Sequence, residues 1–88
     1  MARLLHPDGT NETVTPKDGK RFSLDELQGL VEGYIELVHG EHSDVYDVMV
    51  NEEGLLKELP FNLAGSLLAP GHHLVGNVLI LDGGERLE

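Results

Sequence analysis

Residues 15–38 restrict the fold more than any other stretch, because a glycine turn, a helix start and a short strand follow one another there without a linker. Ser23 and Glu26 have the spacing of a capping box. In that motif the serine oxygen accepts from the N–H of the glutamate, and the glutamate carboxylate accepts from the N–H of the serine. We therefore expect a helix that begins at Ser23 and continues to about Glu32. Closely spaced signals of this kind indicate a compact domain that mixes helix and strand.

The pattern of apolar and β-branched residues predicts five strands. The predicted segments are residues 3–5, 11–15, 34–38, 45–50 and 75–81. Pro7-Asp8-Gly9 lies between the first two and favours a hairpin turn. The last segment is almost entirely apolar, which is typical of a strand covered on both faces, so we expect it at the centre of the sheet. Asp82-Gly83-Gly84 is expected to end it.

The first helix is expected to turn one apolar side towards the core. Leu24, Leu27 and Val31 recur at helical spacing, and this repeat predicts that all three are buried. Gly33 follows the last turn, where a residue in the left-handed conformation commonly ends a helix. In the strand at residues 45–50, Tyr46, Val48 and Val50 are expected to share one face.

A second, shorter helix is predicted at residues 63–69, with Asn62 as its cap and Pro60 and Phe61 as a hydrophobic staple. The elements then follow the order ββαββαβ. The predicted fold class is α+β, a single small domain over residues 1–88 with one mainly antiparallel sheet and two helices. The size of the chain leaves no room for a second domain.

Composition excludes several classes of function. Sixteen acidic residues stand against six Lys and Arg, so the formal net charge is −10. A surface of that sign repels phosphate backbones, and no direct nucleic-acid binding is expected. The absence of cysteine excludes disulfides, thiolate metal sites and a cysteine nucleophile. Neither a signal peptide nor a membrane span is predicted, so we expect a soluble cytoplasmic protein.

Several groups of residues resemble a known family. They are Asp18-Gly19-Lys20, Phe22-Ser23-Leu24-Asp25-Glu26-Leu27-Gln28, Val31-Glu32-Gly33-Tyr34-Ile35-Glu36, Val50-Asn51-Glu52-Glu53-Gly54, Leu59-Pro60-Phe61-Asn62 and Leu74-Val75-Gly76-Asn77-Val78-Leu79. In order and spacing the chain resembles domain of unknown function family 3846, small proteins of phages, plasmids and bacteria. The likeness spans residues 13–80. It implies descent from a mobile element and supplies no reaction, cofactor or catalytic residue.

A cluster of cations before the first helix is the best candidate for a ligand site. The candidate ligand-binding residues are Lys17, Lys20, Arg21 and Ser23. The free N–H groups and the dipole of a helix N-terminus favour an anion, and three cations nearby would strengthen that preference. In the alternative interpretation the cations only pair with neighbouring carboxylates such as Asp18 and Asp25. The motif is too short to be a P-loop.

Histidines and serines give weaker signals. His39, His42 and Asp44 could offer a metal at most three ligands, and solvated loop residues are the simpler interpretation, so no metal or other cofactor is expected. His72 and His73 are adjacent, and their side chains should point apart. Neither Ser23 nor Ser66 has a histidine at nucleophile spacing, and Glu52-Glu53 is explained by a turn. No catalytic residue is predicted.

Two hypotheses of function follow from these observations. The first is a non-enzymatic interaction or regulatory protein that binds a host protein or a second copy of itself. Its acidic surface and edge strands would make the contact, with Glu36, Asp47 and Met49 on an accessible face of the sheet. The alternative is a small-molecule binder that sequesters a nucleotide-like anion at the cation cluster.

Overall fold

Five strands and two helices occur in the predicted order within residues 2–82, the part of the chain that the computed structural model describes. The strands are Ala2–Leu5 (β1), Asn11–Val14 (β2), Ile35–Leu37 (β3), Tyr46–Asn51 (β4) and Val78–Asp82 (β5). The helices are Leu24–Val31 (α1) and Leu63–Leu68 (α2), and a 3₁₀ turn covers Glu41–Asp44. Of the predicted strand end, Asp82 is still the last residue of β5, and Gly83-Gly84 lies outside the described residues. In residues 2–82 no helix has both the length and the apolar character that crossing a bilayer requires.

All strand pairings are antiparallel, and the order across the sheet is β2-β1-β5-β4-β3. The predicted α+β class and the central position of the last strand are both confirmed. That strand begins at Val78 rather than Val75, because the intervening Gly76 has φ +71° and turns the chain out of the extended conformation. Val75 instead forms an isolated bridge with Phe61.

Side chains on both faces of the sheet are buried, one face under each helix. The buried cluster on the α1 side of the sheet contains Ala2, Leu4, Leu27, Val31, Met49, Leu79 and Leu81. The buried cluster on the α2 side contains Leu5, Val38, Val48, Val50, Ala69, Leu74, Val78 and Ile80. The expectation that Asp47 and Met49 lie on an accessible face is therefore wrong: both are buried on the α1 face, and only Glu36 is exposed.

The N-terminus of α1 has the predicted capping box. The Ser23 hydroxyl accepts from the N–H of Glu26 at 3.2 Å, and the Glu26 carboxylate accepts from the N–H of Ser23 at 2.9 Å. Leu27 and Val31 are buried as predicted, but Leu24 keeps 58% of its surface exposed and is not part of the core. Leu24 is the first residue of the helix, one turn before Leu27, and its side chain lies outside the buried set on the α1 face.

The C-terminus of α1 is held by two asparagine side chains, one at the end of β4 and one just before β5. Asn51 Nδ2 donates to the carbonyls of Val31 and Glu32, and Asn77 Nδ2 donates to that of Leu30. Glu32, rather than Gly33, takes the left-handed conformation, with φ 64°. Gly33 is needed for a different reason, because a Cβ there would lie 2.5 Å from Asn51 Nδ2.

Asn62 caps α2 as predicted and also ties the helix to the sheet. Its Oδ1 accepts from the N–H of Gly65 at 2.9 Å, while its Nδ2 donates to the carbonyls of Leu5 and Gly76 at 2.9 and 2.8 Å. The predicted staple is not formed, because Phe61 stacks on His73 and no apolar residue stands at the fourth position of the helix. Asn62 thus links three separate segments of the chain.

Candidate functional site

Large apolar side chains are exposed in one short segment, residues 55–67. They are Leu55, Leu56, Phe61, Leu63 and Leu67, and we call them the exposed apolar cluster. Leu56 is the most exposed of them, at 84%. Isolated exposed leucines are ordinary on protein surfaces, but several within one segment mark a surface for interaction.

The exposure of Leu63 and Leu67 follows from the way α2 packs. Gly65 lies against Val78, and a Cβ at residue 65 would come within 2.5 Å of the Val78 side chain. The helix therefore approaches the sheet through its smallest residue. Leu63 and Leu67 are one turn apart and share the opposite side of the helix, in solvent. The close packing of α2 leaves two of its three leucines, Leu63 and Leu67, in solvent, while Leu68 packs against the core.

A pocket of about 370 Å³ lies beside the edge strand β3 on the α2 face, and we call it the β3 pocket. Its walls include apolar side chains of Val38, Val50 and Leu55 together with the carboxylates of Glu36 and Glu52. The two ion pairs between described residues, His6–Glu12 and Lys57–Glu53, involve neither of those carboxylates. The pocket thus combines apolar walls and the side chains of His39, His72 and His73 with two carboxylates that form no ion pair with a described residue.

The β3 pocket and the exposed apolar cluster are continuous. Leu55 belongs to both. His73 lines the pocket and stacks on Phe61, with ring centroids 4.6 Å apart and planes 27° from parallel. Together they form one surface, the interaction face, which sequence reasoning missed. Apart from the one-turn spacing of Leu63 and Leu67, its apolar residues carry no periodic pattern, and the pocket joins segments that are far apart in the chain.

The histidines between β3 and β4, and those between α2 and β5, have structural partners. His42 is buried, its Nε2 donates to the carbonyl of Val38 at 2.8 Å, and its ring stacks on Tyr46. His72 Nε2 donates to the carbonyl of His39 at 2.9 Å, whereas His73 stacks on Phe61, so the adjacent rings point apart as predicted. Within residues 2–82 no three His, Asp or Glu side chains are grouped closely enough to hold a metal ion.

The predicted anion site is only partly assembled. A groove of about 590 Å³ between β2 and α1 is lined by Lys17 and Ser23, but also by Asp25 and Glu26 and by apolar side chains. Lys20 and Arg21 are not among its lining residues. No carboxylate of the described residues forms an ion pair with the cations Lys17, Lys20 or Arg21, so the predicted local pairing is also not observed.

Carboxylates already occupy the backbone donors around that helix start. Glu26 accepts from the N–H groups of Ser23 and Lys17, and these bonds hold the pKa of its carboxyl below the ordinary 4.5. Asp18 accepts from the N–H groups of Lys20 and Arg21, which lower its pKa below 3.8 in the same way. An incoming anion would have to displace a carboxylate or use side chains alone.

The fold and the interaction face together define a small domain in which a five-stranded antiparallel sheet carries a helix on each side. The chain belongs to the family described as domain of unknown function (DUF3846), whose model matches residues 1–87. The family resemblance seen in the sequence is thereby confirmed, over a longer stretch than its motifs cover. No curated protein and no solved structure matches the chain.

Proposed function

We propose that this protein is a small, acidic, non-enzymatic interaction protein of phage or mobile-element descent that acts in the cytoplasm by binding another protein through its interaction face. The observation that carries the proposal is the exposure of Leu55, Leu56, Leu63 and Leu67 within one short segment of so small a domain. Burying a leucine side chain stabilises a complex by about 1.5 to 3 kcal/mol, so a few of them can support specific binding.

The chemistry of the serines supports a non-enzymatic role. Ser23 Oγ caps α1, and Ser66 Oγ accepts from the N–H of Leu74 at 2.9 Å. Both hydroxyls hydrogen-bond to the backbone, and neither forms a hydrogen bond with a described histidine that could act as a base. The anion-binding alternative is not favoured, because the groove at Lys17 includes two carboxylates and lacks Lys20 and Arg21.

Variant-dependent capture tests the proposal. Immobilised wild type and a Leu63→Glu/Leu67→Glu variant should be exposed to lysate of the native host, and any captured protein should be purified and titrated against both. The variant loses two leucine side chains that the complex would bury and gains two negative charges at the same positions. We therefore expect it to bind the partner about 100-fold more weakly, or worse. Sedimentation of the protein alone detects a second copy as the partner.

A matched control separates this face from the rest of the surface. The Lys20→Ala/Arg21→Ala variant changes two exposed residues outside the interaction face and should retain the captured partner with unchanged affinity. Both variants should first show a cooperative thermal transition. A partner held equally by wild type and the leucine variant would refute the interaction face. A partner lost only from the cation variant would place the binding surface at Lys20 and Arg21 instead.

A further inference from the structure

The edge of β3 has unpaired backbone groups. The Val38 N–H donates to the carbonyl of Val48, and the Glu52 N–H donates to that of Tyr34, each at 2.8 Å. In an antiparallel ladder these contacts alternate, so Ile35 and Leu37 direct their N–H and C=O groups away from β4. β3 is the last strand of the sheet, and no described residue bonds to those outward groups. They form a short row of free donors and acceptors.

The β3 pocket lies against this edge. Leu37 lines the pocket, although its side chain packs on the α1 face, so its backbone forms the boundary. Glu36 faces the pocket from β3, and Glu52, opposite Tyr34, is its diagonal neighbour on the same face. A strand added beside β3 would place every second side chain over this pocket.

We propose that β3 accepts an extended segment of another protein as a sixth strand, with a Lys or Arg side chain of that segment in the β3 pocket beside Glu36 and Glu52. This inference rests on the proposed function and specifies how the partner binds. Apolar walls contact the stem of such a side chain, and the two carboxylates bind its charged end. The outward groups of Ile35 and Leu37 hydrogen-bond to the backbone of the segment.

Charge decides which partner fits. Two copies paired through β3 about a twofold axis at Glu36 would bring the two Glu36 carboxylates opposite each other, and each copy has a net charge of −10. A Lys or Arg side chain from a different protein would avoid that repulsion and would be attracted by the two carboxylates of the pocket. The occupant is therefore a basic, extended segment of another protein rather than a second copy.

A synthetic peptide provides the probe. Fluorescein-labelled Thr-Val-Lys-Val-Thr, blocked at both ends, places lysine and threonine on one side of a strand and valine on the other. Fluorescence anisotropy should show saturable binding that weakens with added salt, and replacing lysine by glutamate should lower the affinity about tenfold or more. No saturable binding up to about 1 mM would overturn the proposal.

N-methylation of the peptide distinguishes strand addition from loose contact. A peptide in a strand directs alternate N–H groups towards its neighbour. Methylation of an N–H group that faces β3 should therefore abolish binding, and methylation of one that faces solvent should leave it unchanged. In isotope-labelled protein, the amide resonances of Ile35 and Leu37 should move most. Uniform tolerance of methylation, or shifts confined to the other edge strand at Asn11 and Thr13, would refute addition at β3.

Charge variants test the pocket itself. Glu36→Gln/Glu52→Gln should weaken peptide binding about tenfold and reduce its salt dependence. Asp25→Asn/Glu41→Gln removes the same charge outside the pocket and should change affinity less than about twofold. Equal losses in both would show a general charge effect and refute the pocket. If the leucine variant loses its captured partner while the peptide never binds, the proposed function stands and strand addition fails.

Discussion

Asn62 is the side chain whose loss should cost the fold most for its size. In Asn62→Ala, Gly65 loses its cap and the carbonyls of Leu5 and Gly76 each lose a donor, all around a residue with 0% exposure. The cap contributes about 1 kcal/mol and each of the two buried hydrogen bonds about another 1 kcal/mol, so we expect a loss of about 3 kcal/mol. A domain of this length has about 4 to 13 kcal/mol of stability in total, so the variant should lose a large part of it.

Urea unfolding followed by circular dichroism measures this loss. Ser23→Ala is the matched control, because Ser23 caps α1 in the same manner but is exposed to solvent. Its loss should be only about 1 kcal/mol, since water can replace the hydroxyl. A loss below about 1.5 kcal/mol in Asn62→Ala, or equal losses in the two variants, would refute the claim that Asn62 joins three segments.

Further measurements test the remaining electrostatic features. The Glu12 carboxylate raises the pKa of His6 above 6.5, so this pair stabilises the fold below pH 6.5 and its contribution is lost as pH rises through the raised pKa. Glu12→Gln should remove that pH dependence of the unfolding midpoint, and an unchanged profile would contradict it. The N–H groups of Ser23 and Lys17 lower the pKa of Glu26 below 4.5. The contribution of this carboxylate to folding stability is therefore complete above pH 4.5 and should fall as the pH drops through the lowered pKa. Glu26→Gln should lack this fall in stability. Calorimetric titration of a nucleotide panel should give no heat above dilution, and saturable heat would restore the anion site.

Local chemistry allowed several features to be predicted from the sequence. The capping box at Ser23 and Glu26 depends only on residues three apart, and it forms as predicted. The apolar run of β5 predicted a central strand, because a strand without polar alternation must be covered on both faces. Element order and fold class followed from the same local signals.

The failures share a physical cause. Leu24 satisfies the helical repeat, but burial depends on which part of α1 lies over the sheet, and this is decided by packing. Asp47 and Met49 were expected on an accessible face because they alternate with Tyr46, Val48 and Val50, whereas α1 covers their face as well. Gly33 was assigned a left-handed conformation that Glu32 adopts, while the glycine provides room for Asn51 from a distant strand.

The candidate site also separates what local sequence determines from what tertiary packing determines. The sequence by itself determined that Lys17, Lys20, Arg21 and Ser23 are neighbours in the chain, but it could not determine that only two of them share a groove. The β3 pocket gathers Glu36, Glu52 and the loop at residues 72–75, which no local pattern connects. Sequence spacing fixes hydrogen bonds within a turn of the chain, whereas a pocket exists only where folding brings separate segments together, so the tertiary structure alone placed it.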